Sequence, residues 1–467
     1  MLRLQYNFLV YLCLALSGNA LAAEHFMATT GSDSNSGSKA SPWFSLQESI
    51  WKLKAGDTLT IRGGTYYDAS FADISVPSTG KTSVIRAAAG EQVVFDGRVP
   101  TSSVVSANRW KQVGRRRWST EYIGKWRWLD GLWLAREYFP KVDAEDQLRP
   151  KTWFLETKSK QIVLQLDGDE RPENEKLQFR LGFMITFDTP NWRIEGITAN
   201  YFTQYGIGVW KTRDVVIRGC QAHFNGGGGI EAVHAGSLVI EDNHTSYNGS
   251  EGGPGWSSGI HLFGLTDKKS VVRRNISHHN RDSSDHHTDG NGFSIDKGYA
   301  FGGAEAYENI AYNNGGRGLD VMETADAHVH HNTFYNNSLD PEIANQGEVS
   351  IYGEVSLNGL AVSDNILLAT RKNFPLVVWG NLSPAKVKGD YNLLYNQDSA
   401  GLVVGNPADG ENSYTLEQWQ RLSGNEMHSL SENPKLKNPD SSDFAPRSGS
   451  PVFGKGSKGG TIGALSR

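Results

Sequence analysis

Two columns of asparagine recur along this 467-residue chain and restrict how it can fold more than any other feature. The first column comprises Asn243, Asn275, Asn309, Asn332 and Asn365. The second follows it by five residues and comprises Asn225, Asn248, Asn280, Asn314 and Asn337. Successive members are separated by about 23 residues, or by about ten more where the chain carries an insertion. A repeat of this period indicates stacked segments, each of which contacts only its neighbours.

A short stretch of alternating apolar and polar residues follows each member of the second column. Two examples run from Gly229 to Val233 and from Gly318 to Met322. Successive side chains of a strand point to opposite faces, so the apolar residues point inward while Glu231 and Asp320 point outward. Asparagines stacked at the corners would hydrogen-bond to one another along the stack. The repeat therefore predicts an all-β chain that folds as a parallel β-helix from about residue 190 to about residue 380.

The sequence on either side of the repeat predicts the other parts of the chain. Residues 24–100 contain a helix-like segment and a strand, and they resemble the first coils of right-handed parallel β-helix proteins, in which a short helical cap covers the open end. Residues 101–185 interrupt the glycine rhythm and are interpreted as an inserted, strand-rich lobe. Residues 186–395 are assigned to the β-helix with its groove, and residues 396–467 to the C-terminal coils and a closing segment.

The inserted lobe is rich in tryptophan. Its tryptophans are Trp110, Trp118, Trp126, Trp128, Trp133 and Trp153. Together with neighbouring arginines they would suit stacking on an acidic sugar, but aromatic residues at alternating spacing are more typical of the core of a small sheet.

The N-terminus has the features of a signal peptide. Residues 1–23 hold one charge, Arg3, followed by an apolar run and then by small residues up to Ala23. The apolar run is too short to span a membrane, so we expect a periplasmic or secreted protein that acts as a monomer. Cleavage would remove Cys13 and leave Cys220 as a single cysteine without a disulfide partner. The net charge of −5 argues against nucleic acid and gives no indication of a membrane surface.

The outward positions of consecutive strands predict a groove. Carboxylates, a histidine and aromatic residues would face outward at a coil spacing of about 4.8 Å, which suits a linear polymer. The insertions at residues 249–258 and 281–291 enter from the same corner and would wall this face. The predicted substrate contacts are Glu231, Asp320, Trp210 and Tyr352.

A cluster of oxygen ligands lies in one of these insertions and in the strand after it. Its members are Asp285, Asp289, Asn291 and Asp296. Hard oxygen ligands on a glycine-rich turn predict a Ca²⁺ site, whereas the same residues also serve as hydrogen-bonding turn residues at β-helix corners. A zinc site at His286 and His287 is disfavoured because adjacent residues of a strand point in opposite directions.

The segments at residues 289–296 and 313–320 resemble polysaccharide lyase family 9. They read Asp-Gly-Asn-Gly-Phe-Ser-Ile-Asp and Asn-Asn-Gly-Gly-Arg-Gly-Leu-Asp, and the matching positions are Gly292-Phe293 and Gly318 with Asp320. The resemblance implies a calcium-assisted enzyme in which a lysine removes the C5 proton of a uronate. The sequence departs from this pattern at Thr324, where the family has its lysine, and at His287, Thr288 and Asn291, where it has acidic ligands.

The predicted function is β-elimination on a uronate-containing acidic polysaccharide. This reaction needs a base and a positive charge near the substrate carboxylate. Calcium would supply the charge, and the candidate bases are Lys297, Arg317 and His261. Strict alternation points Lys297 inward unless its strand ends at Asp296, and arginine is a demanding base because its pKa exceeds 12.

Three other functions remain open on the sequence. Asp296 and Asp320 on neighbouring coils would lie about 5 Å apart, as in a retaining glycoside hydrolase. A C5-epimerase would use similar proton chemistry on the same fold. A non-catalytic carbohydrate-binding solenoid would leave the same polar columns solvated.

Overall fold

The computed structural model describes most of the chain beyond the first 21 residues. The described residues are 22–67, 80–106, 109–124, 129–182, 185–187, 189–253, 255–256, 258–267, 270–285, 287–299, 302–343, 347–353, 359–371, 373–379, 387–399, 401–406 and 412–464. The predicted signal peptide therefore lies almost entirely outside the described residues.

The chain folds as a parallel β-helix, as predicted, with three long sheets that run along its length. The first sheet consists of Glu24–Met27, Thr58–Ile61, Ser83–Ala87, Trp192–Glu195, Val215–Arg218, Val239–Glu241, Ser270–Arg273, Ala304–Tyr307, His328–His330, Leu360–Ser363 and Val387–Asp390. The second consists of Gly64–Tyr66, Val93–Asp96, Ile197–Asn200, Gln221–His223, His244–Ser246, Ile276–His278, Ile310–Tyr312, Thr333–Tyr335, Ile366–Ala369 and Leu393–Asn396. The third, called the groove sheet below, consists of Ile185–Phe187, Ile207–Trp210, Ile230–Val233, Ser258–Phe263, Asn291–Tyr299, Leu319–Thr324, Gly347–Tyr352, Phe374–Val378, Leu402–Asn406 and the antiparallel Asn412–Thr415.

Both predicted asparagine columns form continuous ladders inside the β-helix. In the first, Asn275 Nδ2 donates to Asn309 Oδ1 at 3.0 Å, and each neighbouring pair repeats the contact. The ladder also extends to Asn392, which the alignment of the sequence had not included. Each amide of this first ladder additionally donates to a backbone carbonyl, such as that of Val272 for Asn309. The ladders satisfy polar groups that the corners would otherwise bury unpaired.

Each ladder ends on a buried glutamate. Asn337 Nδ2 donates to Glu348 Oε2 at 2.6 Å, and Asn392 Nδ2 donates to Glu426 Oε2 at 3.0 Å. Burial outweighs these hydrogen bonds and raises the pKa of Glu348 to about 8 and that of Glu426 to about 7. Glu348 is therefore mostly protonated at neutral pH, whereas Glu426 changes charge close to neutral pH.

The inserted lobe contains two antiparallel sheets. One comprises Glu137–Phe139, Leu129–Leu134, Leu177–Leu181 and Arg98–Val99, and the other comprises Lys141–Val142, Thr152–Glu156, Gln161–Gln165, Arg117–Glu121 and Lys111–Gly114. Within the second of these sheets, Lys141–Val142 pairs in parallel with Thr152–Glu156. Trp110, Trp133 and Trp153 are buried, so these tryptophans belong to the core of the lobe. Trp126 and Trp128 lie outside the described residues.

Short helices and a hairpin cover the ends of the β-helix. Leu46–Lys52 buries Leu46 and Ile50 at the N-terminal end, and Leu416–Ser423 begins with a capping box formed by Thr415. The closing strands Leu436–Asn438 and Asp443–Pro446 bring Phe444 against the second sheet. Single 3₁₀ turns occur at Thr101–Ser103, Glu145–Gln147, Asn174–Lys176, Pro439–Ser441 and Ser457–Gly459. Within the described residues, no helix has the length and apolarity needed to cross a membrane.

Candidate active site in the groove

The groove lies on the outer face of the groove sheet and encloses about 650 Å³. Backbone register places five outward residues of consecutive strands in one row: Glu231, His261, Ser294, Asp320 and Ser350. A second row, two residues further along each strand, comprises Val233, Phe263, Asp296, Met322 and Tyr352. Members of both rows line the groove, so the fold gathers on one surface residues that are far apart in sequence.

His261 lies between two carboxylates at the floor of the groove. Its Nδ1 is 3.2 Å from Glu231 Oε1, and its Nε2 is 3.9 Å from Asp296 Oδ2. Burial alone would lower the pKa of His261, but Glu231, with help from Asp289 and Asp296, outweighs it and raises the pKa to about 9. The ring is therefore an imidazolium at neutral pH, which removes it from the candidate bases and makes it a candidate proton donor.

Three aspartates share the groove with this imidazolium. Burial raises the pKa of Asp289 and of Asp296 to about 6, although His261 partly opposes the effect. Burial also raises the pKa of Asp320, while Arg317 and His261 act to lower it. Asp289 and Asp296 thus change charge within the physiological pH range, a property common among catalytic carboxyls.

Lys297 faces the groove, which corrects the inward orientation expected from strict alternation. Its φ is +50°, and the pairing of its strand with the next one becomes irregular after Asp296. This left-handed residue turns the chain at the corner. The equivalent corner residues of the other coils also have positive φ: Lys211, His234, Gly264 and Glu323. Lys297 Nζ lies 5.2 Å from the centre of the Phe263 ring at the edge of the groove.

Arg317 lines the groove at the opposite end of the strands, just before Gly318. Its backbone N–H donates to Asn291 Oδ1 at 2.9 Å, and its Nη1 donates to the carbonyl oxygen of Thr288 at 2.8 Å. These two bonds hold the guanidinium beside Asp320.

The four predicted metal ligands do not converge in the groove. Asp285 is exposed and does not belong to the groove lining, and the amide oxygen of Asn291 is engaged by Arg317. Only Asp289 and Asp296 line the groove. Across the described residues, no three His, Cys, Asp or Glu side chains are grouped to hold a metal ion. The four residues do not form the calcium site expected from the sequence, and the hydrogen bond that Asn291 Oδ1 accepts from the backbone of Arg317 on the next coil accounts for the position of Asn291.

The two histidines considered for zinc give no support to that alternative. His286 lies outside the described residues. His287 points to a different pair of carboxylates, with Nδ1 3.4 Å from Asp340 and Nε2 3.3 Å from Glu342.

The predicted substrate contacts divide into two groups. Glu231, Asp320 and Tyr352 line the groove, whereas Trp210 does not. The indole of Trp210 folds down onto its own strand, where a Cβ on Gly208 would lie 1.9 Å from the ring. Because Gly208 has no side chain, the indole of Trp210 can pack against its own strand instead of facing the groove.

Sequence reasoning missed three aromatic residues of the groove: Tyr205, Trp256 and Trp379. Burial, with Glu231 and Asp289 nearby, raises the pKa of Tyr205. Trp256 lies in the insertion at residues 249–258, which was predicted to wall the groove, and this position could have identified it as a groove residue. Thr324, at the position of the lysine in the resembled family, is fully buried, and its hydroxyl donates to the carbonyl oxygen of Met322 at 2.9 Å.

Comparison with known proteins agrees with this architecture. Residues 185–339 match the family model described as a right handed beta helix region. This chain is 36% identical over 89 residues to pectate lyase PEL9 of Emericella nidulans. The aligned stretch covers 19% of this chain and 22% of that protein. The match thus spans about a fifth of the length of the curated relative. These findings support a pectate-lyase-like, right-handed parallel β-helix.

Comparison with solved structures finds similarity to this chain at low sequence identity. The structure of the complex of XylC with xylose is 14% identical in sequence to this chain, with a TM-score of 0.47. The superposed region covers 88% of this chain and 87% of the XylC chain. Pectate lyase Pel9A is 12% identical, covers 96% and 98% of the two chains, and has a TM-score of 0.45.

Proposed function

We propose that this chain is a polysaccharide lyase that cleaves a uronate-containing acidic polysaccharide by β-elimination, and that it acts as an exported monomer. The observation that carries the proposal is the set of three basic side chains around one groove: His261, Lys297 and Arg317. A uronate brings its own carboxylate, and negative charge increases there as the C5 proton leaves. The guanidinium of Arg317 and the imidazolium of His261 meet that requirement, and Lys297 is left to act as the base.

Each of the three basic side chains has a separate task in the proposed mechanism. Arg317, held by Thr288 and Asn291, pairs with the substrate carboxylate through its fork of N–H donors. Lys297 at the other edge removes the C5 proton in its neutral form. The C5–H electron pair forms the C4–C5 double bond, the C4–O bond breaks, and His261 donates a proton to the departing oxygen.

The carboxylates of the site set the charge of the donor. Glu231 and Asp296 on either side of His261 keep the ring protonated, and Asp320 balances the charge of Arg317. In this scheme no step passes through a metal ion, because the residues around the groove do not fit one. The stretch of identity with a pectate lyase adds support for an acidic substrate.

The test is a panel of acidic polysaccharides, including pectate, assayed for the ultraviolet absorbance of a newly formed double bond. Arg317→Ala should lower kcat/KM by about 100-fold or more, the loss typical of removing a donor that stabilises transition-state charge. Arg317→Lys should recover little of it if a bidentate contact is required.

Melting curves of both variants should overlay that of the wild type, since Arg317 is only half-buried. Full activity of Arg317→Ala on every substrate that the wild type cleaves would refute this assignment. Absence of the double bond with the whole panel would refute lyase activity itself.

Glycoside hydrolysis is the second candidate, and one observation favours it. Burial raises the pKa of Asp296 to about 6, which suits a general acid, whereas Arg317 beside Asp320 favours the ionised form of that second carboxyl. New reducing ends without ultraviolet absorbance in the same panel would identify this reaction.

A further inference from the structure

Trp256 lines the groove, although it does not belong to either row of outward residues on the groove sheet. The residue lies in the insertion just before the strand that carries His261, and it is 53% exposed. Its φ of +57° is unusual for a bulky residue and costs free energy. An exposed indole at the wall of a groove lined by charged and aromatic side chains points to a role in binding.

The inserted lobe holds the loop that carries Trp256. The indole Nε1 of Trp133 donates to the carbonyl oxygen of Glu251 at 2.7 Å, and the carboxylate of Glu251 pairs with Arg180. Arg180 is 1% exposed, and its guanidinium lies 3.9 Å from the centre of the Trp133 ring. Burial of both lobe residues makes this clamp a fixed point for the loop.

Two further contacts restrain the same loop. Gly252 has a φ of +76°, and a Cβ there would lie 2.9 Å from Cβ of Tyr138 in the lobe. Its backbone N–H donates to Ser283 Oγ, in the other insertion, at 3.0 Å. The loop is thus packed between the lobe and the neighbouring insertion, a few residues before Trp256.

We infer that Trp256 is a stacking platform for a sugar ring of the polysaccharide next to the reacting unit, and that the inserted lobe serves to position it. Pyranose rings carry an apolar face of C–H groups that packs on an aromatic ring while their hydroxyls remain solvated. Trp256 lies at the amino-terminal end of the groove strands, the same end as Arg317. A chain bound through its carboxylate at Arg317 therefore extends across the indole. The inference takes the acidic nature of the polymer from the proposed function.

Binding of oligogalacturonides of two to six units tests the platform by calorimetry, independently of any bond cleavage. Trp256→Ala should weaken binding of the longer oligomers about tenfold, equivalent to about 1.4 kcal/mol, and should leave the shortest oligomer nearly unaffected. Trp256→Phe should restore most of the affinity, because it keeps an aromatic face. Glu251→Gln should weaken binding in the same length-dependent way by loosening the clamp, with kcat unchanged.

Trp51→Ala is the matched control, since Trp51 is 52% exposed but lies on the capping helix Leu46–Lys52. It should bind every oligomer as the wild type does. Equal affinity of wild type and Trp256→Ala for the longer oligomers would overturn the platform, as would a wild type that binds none of them. A length-dependent loss without any double-bond formation would uphold the platform and refute only the lyase.

Discussion

Replacing Asn309 by Ala is expected to destabilise the β-helix strongly although it changes only a few atoms. The side chain makes four hydrogen bonds: it accepts from the N–H and the Nδ2 of Asn275, and it donates to the carbonyl oxygen of Val272 and to Asn332 Oδ1. Asn309 is 1% exposed, so water does not readily replace these partners. At about 1 kcal/mol for each bond, the free energy of unfolding should fall by about 4 kcal/mol.

Urea unfolding followed by circular dichroism measures this loss. A decrease of about 4 kcal/mol is a large part of the stability of an ordinary domain, so the midpoint should shift clearly to lower urea. Hydrogen exchange of the backbone amides should show the opening centred on the coils next to Asn309, because a repeat fold is stabilised by contacts between neighbours.

The control is Asn438→Ala, at an exposed strand end. It should change the unfolding free energy by less than about 0.5 kcal/mol. A loss below about 1 kcal/mol in Asn309→Ala would show that the ladder contributes little and would refute the reasoning.

Three other predictions concern the stability contributed by Glu348, the pH dependence of turnover and the effect of metal chelation. The pKa of Glu348 is raised to about 8 from an ordinary value of 4.5, so the unfolded chain loses this proton first and stability falls as pH rises from about 4.5 to 8. Melting temperatures at pH 5 and pH 8 should therefore differ less in Glu348→Gln than in the wild type, and equal differences would exclude this origin. Turnover should fall above a pH of about 9, where His261 loses the proton that it donates in the proposed mechanism. The pH profile of kcat/KM should lose its alkaline limb in the residual activity of His261→Gln, and persistence of that limb would assign it to another group. Chelation with EDTA should leave turnover and melting temperature unchanged, because the groove residues do not fit a metal ion; recovery of lost activity by added Ca²⁺ would contradict this.

The sequence by itself determined the fold and the face that carries the groove. Strand alternation and the asparagine columns are local, periodic signals, and each coil repeats the environment of the previous one, so a residue's place in the repeat predicts its neighbours. Glu231, His261 and Asp320 were placed in one row on this basis, and the register of the strands agrees.

Tertiary structure decided the properties that depend on contacts between coils. Lys297 faces the groove because a left-handed corner interrupts the alternation, and no residue type in that stretch signals it. The burial of His261 between two carboxylates turns a candidate base into a proton donor, since the pKa depends on the charges that the fold brings together.

The surroundings of the predicted metal ligands and the contacts of the inserted lobe were also decided by the tertiary structure. The four oxygen ligands that are close in sequence have different surroundings in the structure: Asp289 and Asp296 line the groove, Asn291 accepts a hydrogen bond from Arg317, and Asp285 is exposed. The lobe contacts the insertion that carries Trp256 through the bond between Trp133 and Glu251, which spans 118 positions. Such long-range contacts arise from packing in three dimensions, which local periodicity does not encode.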